Sequence, residues 1–461
     1  MISMNKSELF LNKVVAMTFI AVSVVILSCH PGAAKDADKH VVREVNAAEI
    51  PRGNTTIAIT GALIVDGHGG EPVSNGCVIV KDGIIDEVGV NGTVKIPEGA
   101  EIVDGKGMTL LPGFIDSHFH LDNAKDLPAK FLQHGVTSVR DPGAWIESYA
   151  EERKSGKAMP RLFLSGPHID MFPPAYPDDS YVVRDADEAI KQVNKMADSG
   201  ATMIKVYFRL PPGIIRAVCE TAHNRGIPVT GHLETTEAME AINAGLDGIE
   251  HITSFGLSLQ SKREGEKYRQ AILADNEARK PGRYNVWKNI AINSALADTL
   301  TSFLVRKGTF VSPTLAVFEI RVKSKDSASA DKNSNPFNAE LGDSSQLMGY
   351  NQMKAFTAKL QKAGVRIVVG SHSQVNYAEE GWAYQRELEI FSESGISNSD
   401  ILVAATMQNA RFFRIDDKLG SIEKGKMADL VLVRGNPLKN ISDTRNIAKV
   451  MLNGAWIKVN P

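Results

Sequence analysis

Between residues 113 and 372 one pattern recurs eight times: a short apolar run, then a longer stretch of helical periodicity, often closed by glycine. The runs are GFIDSHFH (113–120), VTSVRD (136–141), RLFLSG (161–166), MIKVYF (203–208), PVTGHL (228–233), GIEHIT (248–253), TFVSPTL (309–315) and RIVVGSH (366–372). Segments such as DADEAIKQVNKMADSGA and PGIIRAVCETAHNRG separate them, with apolar residues at helical spacing. Strands joined by helices must run parallel, and eight such units predict a closed (β/α)8 TIM barrel. Barrels of this kind place their chemistry at the C-terminal ends of the strands, so polar residues there are the first to question.

The flanks have a different texture. TTIAITGALIVDG, GCVIVKDGIIDEVGV and GAEIVDGKGMTLLPG near one end, and LGSIEKGKMADLVLVRGNPL with IAKVMLNGAWIKV near the other, are Val/Ile-rich runs broken by glycine, the mark of hairpins. A small β-sandwich domain built from residues 55–111 and 419–461 is therefore expected around a barrel of residues 112–418. With 461 residues, 43% of them hydrophobic, the chain can bury both cores.

The first 28 residues read as a signal peptide. Lys6 and Lys13 precede an uncharged, mostly apolar run from Val14 to Leu27, too short to span a bilayer, which takes about 20 residues. The following ILSC resembles a bacterial lipobox, in which Cys29 would be lipidated and become the mature N-terminus; an ordinary signal peptide containing a cysteine is the plainer alternative. Residues 29–54 then read as a tether. The expectation is an exported lipoprotein, periplasmic or anchored at the outer membrane. Lys+Arg number 52 against 54 Asp+Glu, with no basic run, which argues against a nucleic-acid partner and for a small-molecule substrate. Oligomeric state is left open. Three cysteines without paired spacing point to neither disulfides nor a zinc ribbon.

The chain has 11 histidines, and five fall at ends of predicted strands: His118, His120, His232, His251 and His372. Because strand side chains alternate with period two, His118 and His120 share a side, where two imidazoles can grip one metal ion. Lys205 ends the fourth strand. Taken singly, His232 or His251 would read as a buried structural histidine; the constellation favours a metal site.

The motifs LPGFIDSHFHLD, GVTSVRDPG, GATMIKVY, VTGHLETTEAMEAINAGLDGIEHIT and LGSIEKGKMADLVLVRGNPL together resemble the amidohydrolase superfamily, in its imidazolonepropionase-like and prolidase-like branch. The resemblance runs from Thr55 to Val459. It implies hydrolysis of carbon–nitrogen bonds in a dipeptide, N-acyl amino acid or cyclic amide by metal-activated water, with one or two divalent ions, zinc foremost. His118 and His120 would hold one ion, His232 and His251 a second, and an N6-carboxylated Lys205 would bridge them. An ammonium beside two dications would be strongly unfavourable, whereas a carbamate is an anion with two oxygens.

One position departs from the pattern. The family carries an aspartate at the end of the eighth strand as proton acceptor; here the turn reads Gly370-Ser371-His372-Ser373. His372 can serve as base and acid, as a neutral third metal ligand, or mark a pocket that binds without turnover, which would make the chain a weakened metal- or ligand-binding lipoprotein. Arg140, His168 and Tyr207 fall where substrate contact or structural support are equally open. The connections carrying SKREGEKYRQAILADNEARK (261–280) and the Ser/Asn-rich 323–337 would emerge over the mouth as lids, although a solvated helix is the simpler reading of the first.

Overall fold

A computed structural model describes residues 44–121, 124–319 and 344–459. The segment read as a signal peptide with Cys29, the first part of the segment read as a tether, and the Ser/Asn-rich stretch 323–337 lie outside the described residues. The tether is shorter than expected: Val45 N–H donates to Leu162 O, and the buried Asn46 side chain bonds Pro160 O and Leu162 N–H, so the chain is already built into the fold from there.

Toward the N-terminus run β1 (Ile57–Ile64), β2 (Val73–Lys81), β3 (Ile84–Val90), β4 (Glu101–Asp104) and β5 (Met108–Pro112). The middle supplies β6 (Phe114–Asp116), β7 (Val136–Asp141), β8 (Arg161–Leu164), β9 (His168–Met171), β10 (Ser180–Val183), β11 (Ile204–Val206) and β12 (Val229–Gly231). It continues with β13 (Gly248–Glu250), β14 (Phe310–Ser312) and β15 (Arg366–Ile367), and β16 (Leu430–Arg434), β17 (Ile447–Leu452) and β18 (Ala455–Ile457) follow.

The flanking strands form one eight-stranded sheet, β18-β17-β16-β5-β1-β2-β3, with β4 also paired to β1. Both chain ends meet in it through the antiparallel β5–β16 ladder, from Leu430 opposite Pro112 to Arg434 opposite Met108. Its two faces each bury side chains, Ile57, Ile59, Val78 and Val80 on one, Ala58, Cys77 and Ile79 on the other. The predicted sandwich is thus a single bonded sheet with two covered faces.

The middle strands make two all-parallel sheets, β6-β7-β8 and β10-β9-β11-β12-β13-β14-β15. Hydrogen bonds outside the strands tie both edges of the three-stranded sheet to the other: Thr202 N–H, just before β11, to Leu164 O (2.8 Å) and Ser117 N–H to Val369 O (2.9 Å). Most of these strands are buried at every residue, as parallel strands covered by helices must be. The helix Ala186–Asp198 shows how: Asp185 caps its Glu188 N–H, and Ala189, Val193 and Met196 bury one stripe. Two differences from the sequence reading concern this region. The third unit contains the extra strands β9 and β10, which place His168 on β9 instead of at the tip of 161–166. The predicted run 366–372 is a strand only at Arg366–Ile367, because after Val368, whose N–H still donates to Val311 O, the residues turn to bond β6 and the segment after it. Among the described residues no helix is long and apolar enough to cross a membrane.

Candidate metal centre

The segment after β6 is laced to the segment after β15. Asp116, fully buried, accepts from the backbone N–H of His118 (3.0 Å) and of Ser371 (2.9 Å) and from the Ser371 hydroxyl (2.5 Å). Burial pushes its carboxyl up to about 6, against those donors. His372 N–H donates to His118 O (2.7 Å) and His120 N–H to Ser373 Oγ (2.5 Å). Gly370 is required by the closeness: a Cβ there would meet His118 Cβ at 2.6 Å and Ser312 Oγ at 2.5 Å.

This lacing sets three imidazoles together. His118, His120 and His372 each present a ring nitrogen, and these atoms all lie within 4.8 Å of one another. His118 Nε2 and His120 Nε2 are 3.1 Å apart, as period two anticipated, while Phe119 between them packs edge-on against Phe131. The ring of His251 lies 4.6 Å from that of His118, and His232 follows 4.4 Å beyond His251. Lys205 is buried, its Nζ 5.8 Å from the Tyr207 ring, with its charge felt at His118, His120, His251 and His372. The five sequence-predicted ligands and His372 therefore share one region, with His372 in the tight group and His232 at its far end.

Charge makes the cluster fit a metal. Burial drives His372 down to about 4 and His232 down to about 3, so both rings are neutral near pH 7 and offer lone pairs. His118, His120 and His251 are shifted downward for the same reason. His232 Nδ1 is buried and has no hydrogen-bond partner among the described residues, a donor atom waiting for a cation. Burial also lowers Lys205 to about 8 against the pull of Glu250.

Four residues missed by the sequence reading complete the surroundings. One Glu250 oxygen touches Nδ1 of the neutral His118 ring; its other oxygen accepts from Arg140 Nη2 (2.5 Å) and Thr230 Oγ1 (2.5 Å). Burial opposes its ionisation, but Arg140 and Lys205 outweigh that and hold it at about 2. Glu234 accepts from Arg279 Nε (2.5 Å) and Arg283 Nε (2.6 Å) and lies 3.2 Å from His232 Nε2. The available signal was spacing: Glu234 follows His232 by two, as His120 follows His118. Both arginines belong to the helix Arg279–Trp287, just past the helix Lys262–Ala274 read as a lid or solvated face; that earlier helix is largely exposed.

Of the residues expected near substrate, Arg140 is excluded. Its guanidinium is fully buried, donating to Ser117 O (2.6 Å), Thr230 Oγ1 (3.2 Å) and Glu250, with no surface left for a ligand. The rings of His168 and Tyr207 lie 4.1 Å apart, tilted by 34°, and Tyr207 borders His232 at 4.7 Å.

Left-handed backbone concentrates here. His251 (φ 62°), Thr314 (φ 49°), His372 (φ 60°) and Ser373 (φ 61°) are non-glycine residues in a region that disfavours side chains, and such strain gathers at functional sites. Thr314 Oγ1 lies 2.6 Å from His251 Nδ1 and is fixed from behind, since the buried Glu387 carboxylate accepts the next two backbone N–H groups, Leu315 (2.8 Å) and Ala316 (2.7 Å). Burial pushes Glu387 up from 4.5 to about 8. The folded state then keeps a proton that the unfolded chain releases above 4.5, so this group's contribution to stability is full below pH 4.5 and is lost as pH rises toward 8. Glu387→Gln is expected to flatten that fall in melting temperatures measured from pH 5 to 8; an unchanged slope would refute the assignment.

The Amidohydrolase family pattern matches residues 109–457. An adenine deaminase of Listeria monocytogenes serotype 4b (strain F2365) is 33% identical over 125 residues, 26% of this chain and 20% of that protein, so the match spans about a fifth of that relative. A putative prolidase from Bifidobacterium longum superposes with a TM-score of 0.65 at 24% identity, covering 87% of this chain and 94% of that one. A Xaa-Pro dipeptidase with bound methionine in its active site gives 0.65 at 22% identity, covering 87% and 99%. These likenesses concern the fold.

Proposed function

The chain belongs to the amidohydrolase family, and from that premise we propose that it is a metal-dependent hydrolase cleaving carbon–nitrogen bonds of a small molecule, a dipeptide, N-acyl amino acid or cyclic amide. The observation that carries this reading is the convergence of His118, His120 and His372 nitrogens within 4.8 Å, in rings that burial keeps neutral. The two parallel sheets and the hydrogen bonds joining their edges are read as one closed (β/α)8 ring with the cluster at its mouth.

When bound, a divalent ion, zinc in the first instance, polarises the scissile carbonyl and makes water nucleophilic near neutral pH. The protein's own residues do the rest. His118, His120 and His372 would hold one ion, and His232 and His251 would extend the donor set for a second. Lys205, with its amine brought down to about 8, has a larger neutral fraction near pH 7 than an ordinary lysine and would be open to carboxylation, which would convert it from a repelled cation to an anion with two oxygens. Glu250 and Thr314 fix the rings of His118 and His251.

The test is reconstitution with Zn, Mn or Co, with and without bicarbonate, followed by a panel of dipeptides, N-acetyl amino acids, hydantoin-like rings and lactones. Turnover of a C–N substrate that rises with bicarbonate and disappears in His118→Ala is the expected result. Tight ligand binding without turnover under every metal would overturn it in favour of a binding protein.

A further inference from the structure

Three arginines surround the cluster, and they differ in what they have left to give. Arg140 is wholly buried and bonded. The Arg279 side chain is 5% exposed, with Nε on Glu234, Nη2 on the Tyr207 hydroxyl (3.1 Å) and its guanidinium carbon 4.3 Å from the Phe208 ring. The Arg283 side chain keeps 15% exposure. Its Nε is tied to Glu234 and its Nη2 stands 3.5 Å from His232 Nε2, while Nη1 has no hydrogen-bond partner among the described residues. Phe318, whose ring lies 6.0 Å from His251, flanks the guanidinium at 5.9 Å.

We propose that Arg283 is a specificity-determining residue that receives a carboxylate borne by the substrate, with Glu234 and Arg279 as its fixed support. Among the described residues one carboxylate within hydrogen-bonding reach, Glu234, serves two guanidiniums, which leaves one positive charge without a partner. A cation so nearly removed from water is costly until an anion meets it, and a planar guanidinium pinned at Nε presents its outer nitrogens to a carboxylate with little entropy left to lose. Glu234 cannot leave to fill that role, because both its oxygens are held, one by each arginine. The position beside His232 sets the distance: the recognised carboxylate belongs next to the bond being cleaved, as in an N-acyl amino acid or a dipeptide's C-terminal residue. Neutral cyclic amides and ureas lack it.

This proposal rests on the hydrolase reading, and the experiment separates the two. Matched pairs, N-acetyl-L-methionine with N-acetyl-L-methionine amide and N-acetyl-L-phenylalanine with its amide, are titrated calorimetrically into zinc-loaded protein, and turnover is measured separately. Wild type is expected to bind each acid at least tenfold more tightly than its amide. In Arg283→Met that ratio falls toward one, and in Arg283→Lys it lies between. Failure of turnover with the acid preference intact would sink the hydrolase reading alone. Equal or absent binding of acid and amide by wild type overturns the carboxylate subsite, and needs no variant to fold. A preserved ratio in Arg283→Met overturns it as well.

Discussion

Glu250→Ala is expected to lose metal affinity by about 10–100-fold and to destabilise the fold by about 3–5 kcal/mol. Both effects come from one carboxylate with two partners. One oxygen faces His118 Nδ1, which fixes the ring so that Nε2 points toward His120; without that acceptor the imidazole is free to turn or to adopt the other tautomer. The other oxygen neutralises Arg140, whose guanidinium is wholly buried and, among the described residues, has no second carboxylate in hydrogen-bond contact. Of the two losses the uncompensated charge dominates stability, because an unpaired buried cation retains its full desolvation penalty, whereas a misplaced ring costs only a ligand geometry. Glu250→Gln separates them: it keeps volume and an acceptor for His118 but not the charge, so it should approach alanine in melting temperature and exceed it in zinc affinity by chelator competition. Wild-type metal affinity in the alanine variant would refute the ring-fixing role.

His372→Asp is the second large effect, in the opposite direction. His372 is neutral at pH 7, held down to about 4 by burial and by Lys205. An aspartate there adds a negative charge among neutral imidazoles, where a carboxylated Lys205 would be the one other anionic donor, and a dication responds strongly to one unit of charge at a few ångströms. The backbone accepts the exchange, since the left-handed φ of 60° suits Asp about as well as His. Elemental analysis is expected to give close to two ions per chain for His372→Asp and fewer for wild type after the same dialysis. Equal content in both would show that His372 does not limit occupancy.

The order of strands and helices was readable because parallel strands in this setting are short, apolar and punctuated, and His118 and His120 were readable because alternation is a local rule. The rule fails at residues 250 and 251. Adjacent strand residues should face opposite ways, yet Glu250 touches His118 and the His251 ring lies 4.6 Å from it. The left-handed turn at His251 (φ 62°) breaks the alternation, and nothing in the letters IEH announces a positive φ. Arg279 and Arg283 were visible as an i, i+4 pair on a helix, but which way that face looks is decided by packing, with Trp287 fully buried at the helix end. Arg140 went the other way: a charged residue on a strand suggests a ligand contact, and only the position of Glu250, 110 residues later, shows the charge already answered.

The bonds between Asp116 and Ser371 span 255 residues. At ribosomal rates of roughly 5–20 residues per second, that interval lasts on the order of 10–50 s. Through all of it His118 and His120 exist without His372, so the three-nitrogen group closes only once the segment following β15 is in place.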